Sequence, residues 1–230
     1  MPKQFIIAVM SRWTFWLRAE SLSLLLNNGV HHLYINVEQV RAFRTCSFFI
    51  SCEPPLILGG LKLNRSVLKF GGSSVSDFTK IKNIAEMLKT RVEQGEELIV
   101  VVSAMGKTTD QLMENVSTLT STPKDQELAL LLTTGEQQTV SYLSMVLNDI
   151  GVKAKAMTGY QAGIKTIGHH LKSKIAEINP DTFNQAFENN DVLVVAGFQG
   201  INDEFELTTL GRGGSDTTAV ALAASNQIPC

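Results

Sequence analysis

The chain has 230 residues, long enough for one large domain or for one domain with an attachment. Its 20 Lys and Arg against 22 Asp and Glu leave a net charge of −2, which argues against bulk nucleic-acid binding. The 44% hydrophobic fraction excludes a disordered polar chain, and no apolar run approaches the roughly 18 residues needed to span a bilayer.

Residues 1–65 are read as an extension that does not conform to the rest. Trp13, Phe15 and Trp16 fall there, with a short helix expected around Leu22 to Leu26 and a strand over His32 to Val37. No steady period links these pieces, and Glu53-Pro54-Pro55 and Gly59-Gly60 punctuate the stretch. An accessory module or targeting segment is the other reading. The run Phe5 to Met10 after Lys3 is cut by Arg12 at about the lower limit of a signal-peptide core, with no small-residue cleavage site behind it. Cys46, Cys52 and Cys230 form no disulfide framework and no metal-ligand spacing, so a cytosolic, reducing setting is expected.

From Ser66 the pattern becomes regular. Val67 to Phe70 reads as a short strand stopped by Gly71-Gly72-Ser73-Ser74. A helix follows from a cap at Ser76 or Asp77, with Phe78, Ile81, Ile84, Ala85, Leu88 and Val92 on one face and Gly95 just past its end. Leu98 to Val102 is an uninterrupted apolar, β-branched run, as in a parallel strand covered on both faces. Strand, glycine loop, helix and strand make a βαβ unit.

That strand runs into Ser103-Ala104-Met105-Gly106-Lys107-Thr108-Thr109-Asp110, and a helix carrying Leu112, Met113, Val116 and Leu119 continues to the break at Pro123. The next helix spans about Asp125 to Asp149. Its inward stripe includes Leu128, Leu131, Leu132, Gly135, Glu136, Thr139, Leu143, Val146 and Leu147. A carboxylate on such a stripe costs several kcal/mol unless something meets it. Glu136 therefore either pairs with an internal Lys or Arg or receives the ammonium of a small ligand, with Gly135 leaving room for the approach.

Lys153 to Met157 reads as a strand, Thr158 to Ile164 as a turn-rich segment, and His169 and His170 as exposed. Phe183 to Phe187 is a short helix. Asp191 to Ala196 repeats the buried strand and again enters a glycine loop, Gly197-Phe198-Gln199-Gly200. Phe205 to Leu210 fits one arm of a hairpin leading to Gly211-Arg212-Gly213-Gly214-Ser215-Asp216, which opens the apolar helix from Ala219. A glycine loop at a helix start suits an anion, although a plain surface turn with a cap is also possible.

The order predicts an α/β domain over residues 66–230, three-layer αβα with a mainly parallel sheet. Ligands of such sheets bind at the carboxyl ends of the strands, here the loops beginning at Lys69, Ser103, Gly197 and Gly211. A P-loop ending in Gly106-Lys107-Thr108 would need a glycine where Val101 stands, and a dinucleotide fingerprint from Gly211 meets Asp216 at its last glycine. No serine–histidine pair or reactive cysteine offers a nucleophile. One lysine beside two glycines, several hydroxyls, a buried carboxylate and one arginine suit phosphoryl transfer, which needs positioning and charge neutralisation above all.

Five segments, taken in order, resemble the amino acid kinase family and within it the aspartokinases: Lys69-Phe70-Gly71-Gly72-Ser73-Ser74-Val75, Ser103 to Asp110, Thr134-Gly135-Glu136, Gly197 to Gly200, and Gly211 to Asp216. The resemblance implies the amino acid kinase fold, transfer of the ATP γ-phosphate to the β-carboxylate of L-aspartate, and Mg²⁺ without a direct metal motif. It implies catalytic roles for Lys69 and Asp216, and nucleotide contacts from Lys69, Phe70, Gly71 and Gly72. Ser103, Thr109, Glu136, Arg212, Gly213, Gly214 and Ser215 would bind the substrate. Full-length members imply a homo-oligomer, with no nucleic acid or membrane partner. The family continues past Ile228-Pro229-Cys230 into further nucleotide-gripping segments and regulatory ACT domains, so weak or absent ATP binding is expected of this chain. Another amino acid kinase substrate (glutamate, acetylglutamate or a nucleoside monophosphate) and an inactive fragment stand as alternatives.

Overall fold

The computed structural model describes residues 64–228 and, separately, an antiparallel pair of β1 (Val9–Met10) with β2 (Trp13–Thr14). The helix expected near Leu22, the strand near His32 and the three cysteines lie outside the described residues.

Four strands form the main sheet, β3 (Asn64–Phe70), β4 (Glu96–Val102), β5 (Ala154–Met157) and β8 (Val192–Ala196). Their order is β3-β4-β8-β5 and every pairing is parallel. The uninterrupted apolar runs are explained by this position. Leu98, Val100 and Val194 pack one way, against Ile81 and Leu88 of α1 (Phe78–Glu93) and Leu143 and Leu147 of α3 (Asp125–Asp149). Ile99, Val101 and Leu193 pack the other way, against Phe183 of α4 (Asp181–Phe187) and Leu222 of α5 (Gly214–Ser225). The three-layer α/β arrangement matches the expectation. Asp77 is the cap of α1, its carboxylate accepting the Lys80 N–H at 2.9 Å, and Gly95 follows with φ +85°.

The register positions the site. Phe70 lies opposite Val102, and Val102 opposite Ala196, so β3, β4 and β8 end in one row. Hydrogen bonds continue across that row, from Ser103 N–H to the Phe70 carbonyl at 3.1 Å and from Gly197 N–H to the Val102 carbonyl at 3.0 Å. Three glycine-rich or hydroxyl-rich loops therefore leave the sheet side by side.

Three features depart from the sequence reading. First, a second sheet of order β10-β9-β6-β7 is built from β6 (Ile164–Ile167), β7 (Lys174–Ile178), β9 (Gln199–Ile201) and β10 (Leu207–Thr209). Only β10 was anticipated, as one arm of a hairpin over Phe205 to Leu210, while Gln199 and Gly200 of β9 fall in the expected glycine loop. Buried hydroxyls help hold it, Thr166 to Thr208 at 2.6 Å and Ser173 to Thr208 at 3.0 Å. Second, α2 (Thr108–Leu119) buries no residue fully, and Met113 and Leu119 of its apolar stripe are exposed. Third, His169 is exposed as read, but His170 is half-buried with its Nε2 2.7 Å from Glu206. That contact holds Glu206 below the usual carboxylate range, chiefly through the His170 hydrogen bond.

Candidate functional site

Alternation along β3 sends Leu68 and Phe70 into the core and leaves Lys69 on the opposite face, partly exposed. There its Nζ meets the Asp216 carboxylate of α5 at 2.7 Å. Lys69 also leans over the glycine turn, since a Cβ added at Gly71 would lie 3.3 Å from Nζ. The Gly71 carbonyl accepts N–H groups from Ser74 and Val75, which closes the turn. The Phe70 side chain belongs to the core and its carbonyl is taken by Ser103, so it turns no side chain toward this site.

The β3–α1 and β4–α2 loops interlock. A Cβ at Gly72 would come within 2.8 Å of the Ala104 carbonyl oxygen, and the Gly72 carbonyl accepts the Gly106 N–H at 3.0 Å. Gly72→Ala is expected to lower stability by about 1–3 kcal/mol, the usual effect of overpacking. Thermal unfolding checks it, and an unchanged midpoint would show that the loops have slack.

Ala104 also serves Glu136. Its backbone N–H donates to Glu136 Oε1 at 3.1 Å, while Oε2 is buried with no partner. The residue is 4% exposed, and no Lys or Arg pairs with it among the described residues. Burial pushes its carboxyl up to about 7, and the Ala104 hydrogen bond offsets this only in part. Of the two readings of Glu136, pairing with an internal cation does not occur among the described residues. The expectation for Gly135 is corrected. A Cβ there would lie 2.8 Å from the Ala104 Cβ, so the glycine admits the β4–α2 loop and not a ligand. Thr109 lies in the same contact, 3.9 Å from that Cβ position, and Ser103 begins the loop, partly exposed.

The fourth loop begins α5. Gly213 caps the helix with φ +74°, a left-handed conformation that a side chain adopts only under strain. Gly214 and Ser215 are buried, and Ser215 packs so closely that a Cβ at Gly197 would lie 2.7 Å from its own. Arg212 is exposed, and no ion pair or hydrogen bond of its guanidinium occurs among the described residues. The fold thus brings Lys69 to Asp216, Gly72 to Ala104 and Glu136, and Gly197 to Ser215. It does not tie Arg212 to any of them. The Ala104 amide was not legible, because a backbone donor carries no residue signature.

One cation at a strand end, an exposed helix start and a buried half-satisfied carboxylate can hold an anionic group and an ammonium at neighbouring positions. Comparison with known proteins adds to this geometry. The sequence profile described as the amino acid kinase family matches residues 64–228. Aspartokinase 2 of Bacillus subtilis is 46% identical over 159 residues, 69% of this chain and 39% of that protein. The aspartokinase of Thermus thermophilus is 48% identical over 159 residues, with the same shares. The chain therefore spans about two fifths of the length of these curated relatives. The crystal structure of aspartate kinase from Synechocystis superimposes with a TM-score of 0.59 and 42% identity, covering 70% of this chain and 26% of that one. E. coli aspartokinase III, solved with aspartate and ADP, is 20% identical with a TM-score of 0.58, covering 71% of this chain and 47% of that one, a likeness of fold.

Proposed function

The chain belongs to the amino acid kinase family, and from that membership we propose that it carries the aspartate-side half of an aspartate kinase site. The reaction would move the γ-phosphoryl group of ATP to L-aspartate. An oxygen of the substrate β-carboxylate attacks the γ-phosphorus, the bond to the β–γ bridging oxygen breaks, and ADP leaves with that oxygen's electron pair. The products are 4-phospho-L-aspartate and ADP. A carboxylate nucleophile is already ionised at pH 7, so no general base is needed.

The observation that carries this reading is Glu136. A buried carboxylate with one oxygen unpartnered is an unusual thing to keep in a core, and an α-ammonium would satisfy it. Lys69 would neutralise charge on the transferring phosphoryl group, with the Gly71 and Gly72 backbone close to it. Arg212, exposed and without an ion pair among the described residues, would take a substrate carboxylate in a forked contact. Ser103 and Thr109 would supply hydroxyl contacts, and Ser215, Gly213 and Gly214 the helix start beneath the substrate.

Asp216 holds Lys69 through an ion pair of 2.7 Å. No cluster of three metal-ligating side chains occurs among the described residues. Mg²⁺ would arrive on the nucleotide phosphates, since this ion commonly binds one or two carboxylates together with phosphates and water. When bound, it would neutralise phosphate charge, and Asp216 would be the carboxylate that helps hold it.

The test is aspartyl hydroxamate formation from MgATP, L-aspartate and hydroxylamine, with glutamate, acetylglutamate and a nucleoside monophosphate offered in parallel. Aspartate-dependent hydroxamate is expected. Product with glutamate and none with aspartate would overturn the substrate assignment. Silence with every acceptor would overturn the activity for this chain, and titration calorimetry with MgATP would then show whether nucleotide binding is what is missing.

A further inference from the structure

The turn Gly197-Phe198-Gln199, between β8 and β9, touches both halves of the site while carrying none of the groups assigned to ligands above. Phe198 is held at φ +70°, a conformation that a bulky residue keeps only where its surroundings over-determine it. Two hydrogen bonds do so. The Phe198 N–H donates to the Thr218 hydroxyl at 3.2 Å, and the Phe198 carbonyl accepts the Leu210 N–H at 2.8 Å. Thr218 lies one turn into α5 and is 0% exposed, and its hydroxyl donates in turn to the Gly214 carbonyl at 2.9 Å. One hydroxyl thus binds the strained turn to the helix start that carries Ser215 and Asp216.

The other end of the turn reaches α3. Gln199 is 0% exposed, its Nε2 donating to the Thr133 carbonyl at 3.0 Å and its Oε1 accepting the Gly159 N–H at 3.4 Å. Thr133 stands less than one helical turn before Glu136. A buried amide with both ends bonded fixes orientation, because any shift leaves a polar group unsatisfied.

We propose that Thr218 and Gln199 are positioning residues that clamp this turn and thereby hold the Lys69–Asp216 pair and Glu136 at a fixed separation. Its use in catalysis rests on the kinase reading above. The clamp itself is a property of the ligand-free chain and is tested there.

The experiment follows two signals by NMR in the wild-type chain and in Thr218→Val, Thr218→Ser and Gln199→Met. One is amide hydrogen exchange at Phe198, the other the titration of the Glu136 side-chain carboxyl. Thr218→Val is expected to speed Phe198 exchange at least about tenfold, the size of one lost hydrogen bond. It should also lower the Glu136 midpoint toward the ordinary carboxylate range, although the Thr218 hydroxyl bonds to Phe198 and Gly214 and not to that residue. Gln199→Met should do the same from the other end, and Thr218→Ser should restore both signals. A folded Thr218→Val chain with the Glu136 midpoint unmoved would overturn the proposal. If Thr218→Val does not fold, the wild-type chain still decides, because a Phe198 amide exchanging as fast as an exposed loop would show that no clamp exists. Coupling without any hydroxamate formation would keep the clamp and overturn the activity proposed for this chain, and hydroxamate without coupling would do the reverse.

Discussion

Glu136→Gln is expected to raise the unfolding temperature of the ligand-free chain at pH 8 and to leave it almost unchanged at pH 5. The ordinary value for this carboxyl is 4.5, and burial in the folded chain pushes it up to about 7. Between those values the folded chain binds a proton that the unfolded chain has released. Stability therefore falls as pH rises through the window and is flat above it. The full drop is about 3 kcal/mol, worth roughly 2–4 °C for each kcal/mol in a chain of this size. The amide and the protonated carboxyl resemble each other closely. Each can accept the Ala104 N–H on an oxygen and leaves a neutral donor group buried, one O–H in the acid and an NH₂ in the amide, so the two should differ little at pH 5 beside the cost of a buried charge. At pH 8 only the carboxylate bears the desolvation of a charge. The same substitution is expected to raise the KM for L-aspartate by about 30-fold or more while moving that for ATP less than about threefold, the scale of a lost buried charge contact. A more stable protein with a weaker substrate site would mark Glu136 as a group kept for function. An equal effect on both substrates would remove it from the ammonium role, and a melting curve with no pH dependence of the difference would show that the carboxyl is not desolvated.

The parts of the fold that were legible are those where one residue type had one physical explanation. Leu98 to Val102 and Val192 to Ala196 lack alternation because both faces are covered, and they became the two central strands. Asp77 and Gly95 bracket α1 for reasons of capping and backbone conformation that act within a few residues. Glu136 stood out because a carboxylate does not belong on an apolar stripe. The second sheet was obscured because its strands are three to five residues long. In Ile164–Ile167 the alternation of buried and exposed positions is present but spans only two periods between Gly163 and Gly168. Gly135 was misread because its partner, Ala104, is brought in from another loop across the sheet. The pairing of His170 with Glu206 is likewise made by the second sheet, and sequence separation conceals it. Residue types announce local chemistry. They do not announce which backbone amide or methyl group the fold will set opposite them.

Lys69→Met is expected to cut aspartate-dependent hydroxamate formation by at least about 10²-fold to 10³-fold while shifting the unfolding temperature by no more than a few degrees. The two halves of this prediction have different causes. The Lys69–Asp216 pair is a partly solvated contact, with the Asp216 carboxylate 62% exposed, and pairs of that kind contribute about 0–1 kcal/mol to folding. Loss of the cation leaves Asp216 in water, where it needs no partner. At the carboxyl end of β3, however, Lys69 Nζ stands over Gly71, whereas the other cation at this turn, Lys80, is held by the Ser73 carbonyl at 3.0 Å and the Ser76 hydroxyl at 2.8 Å. Lys69 would therefore be the side chain that neutralises transition-state charge on a phosphoryl group. Lys69→Arg is expected to recover little of the rate. Its planar fork is bulkier than an ammonium, and the space above Gly71 already brings Nζ to within 3.3 Å of where a Cβ would stand. Asp216→Asn should fall between the two, because it keeps the shape of the contact and removes the charge that aims Lys69. A Lys69→Met chain that retains more than a tenth of the rate would show that the phosphoryl group is neutralised elsewhere. The helix start at Gly213 and Arg212 would then be the place to look, since the first carries the partial positive charge of a helix N-terminus and the second is an exposed guanidinium beside it.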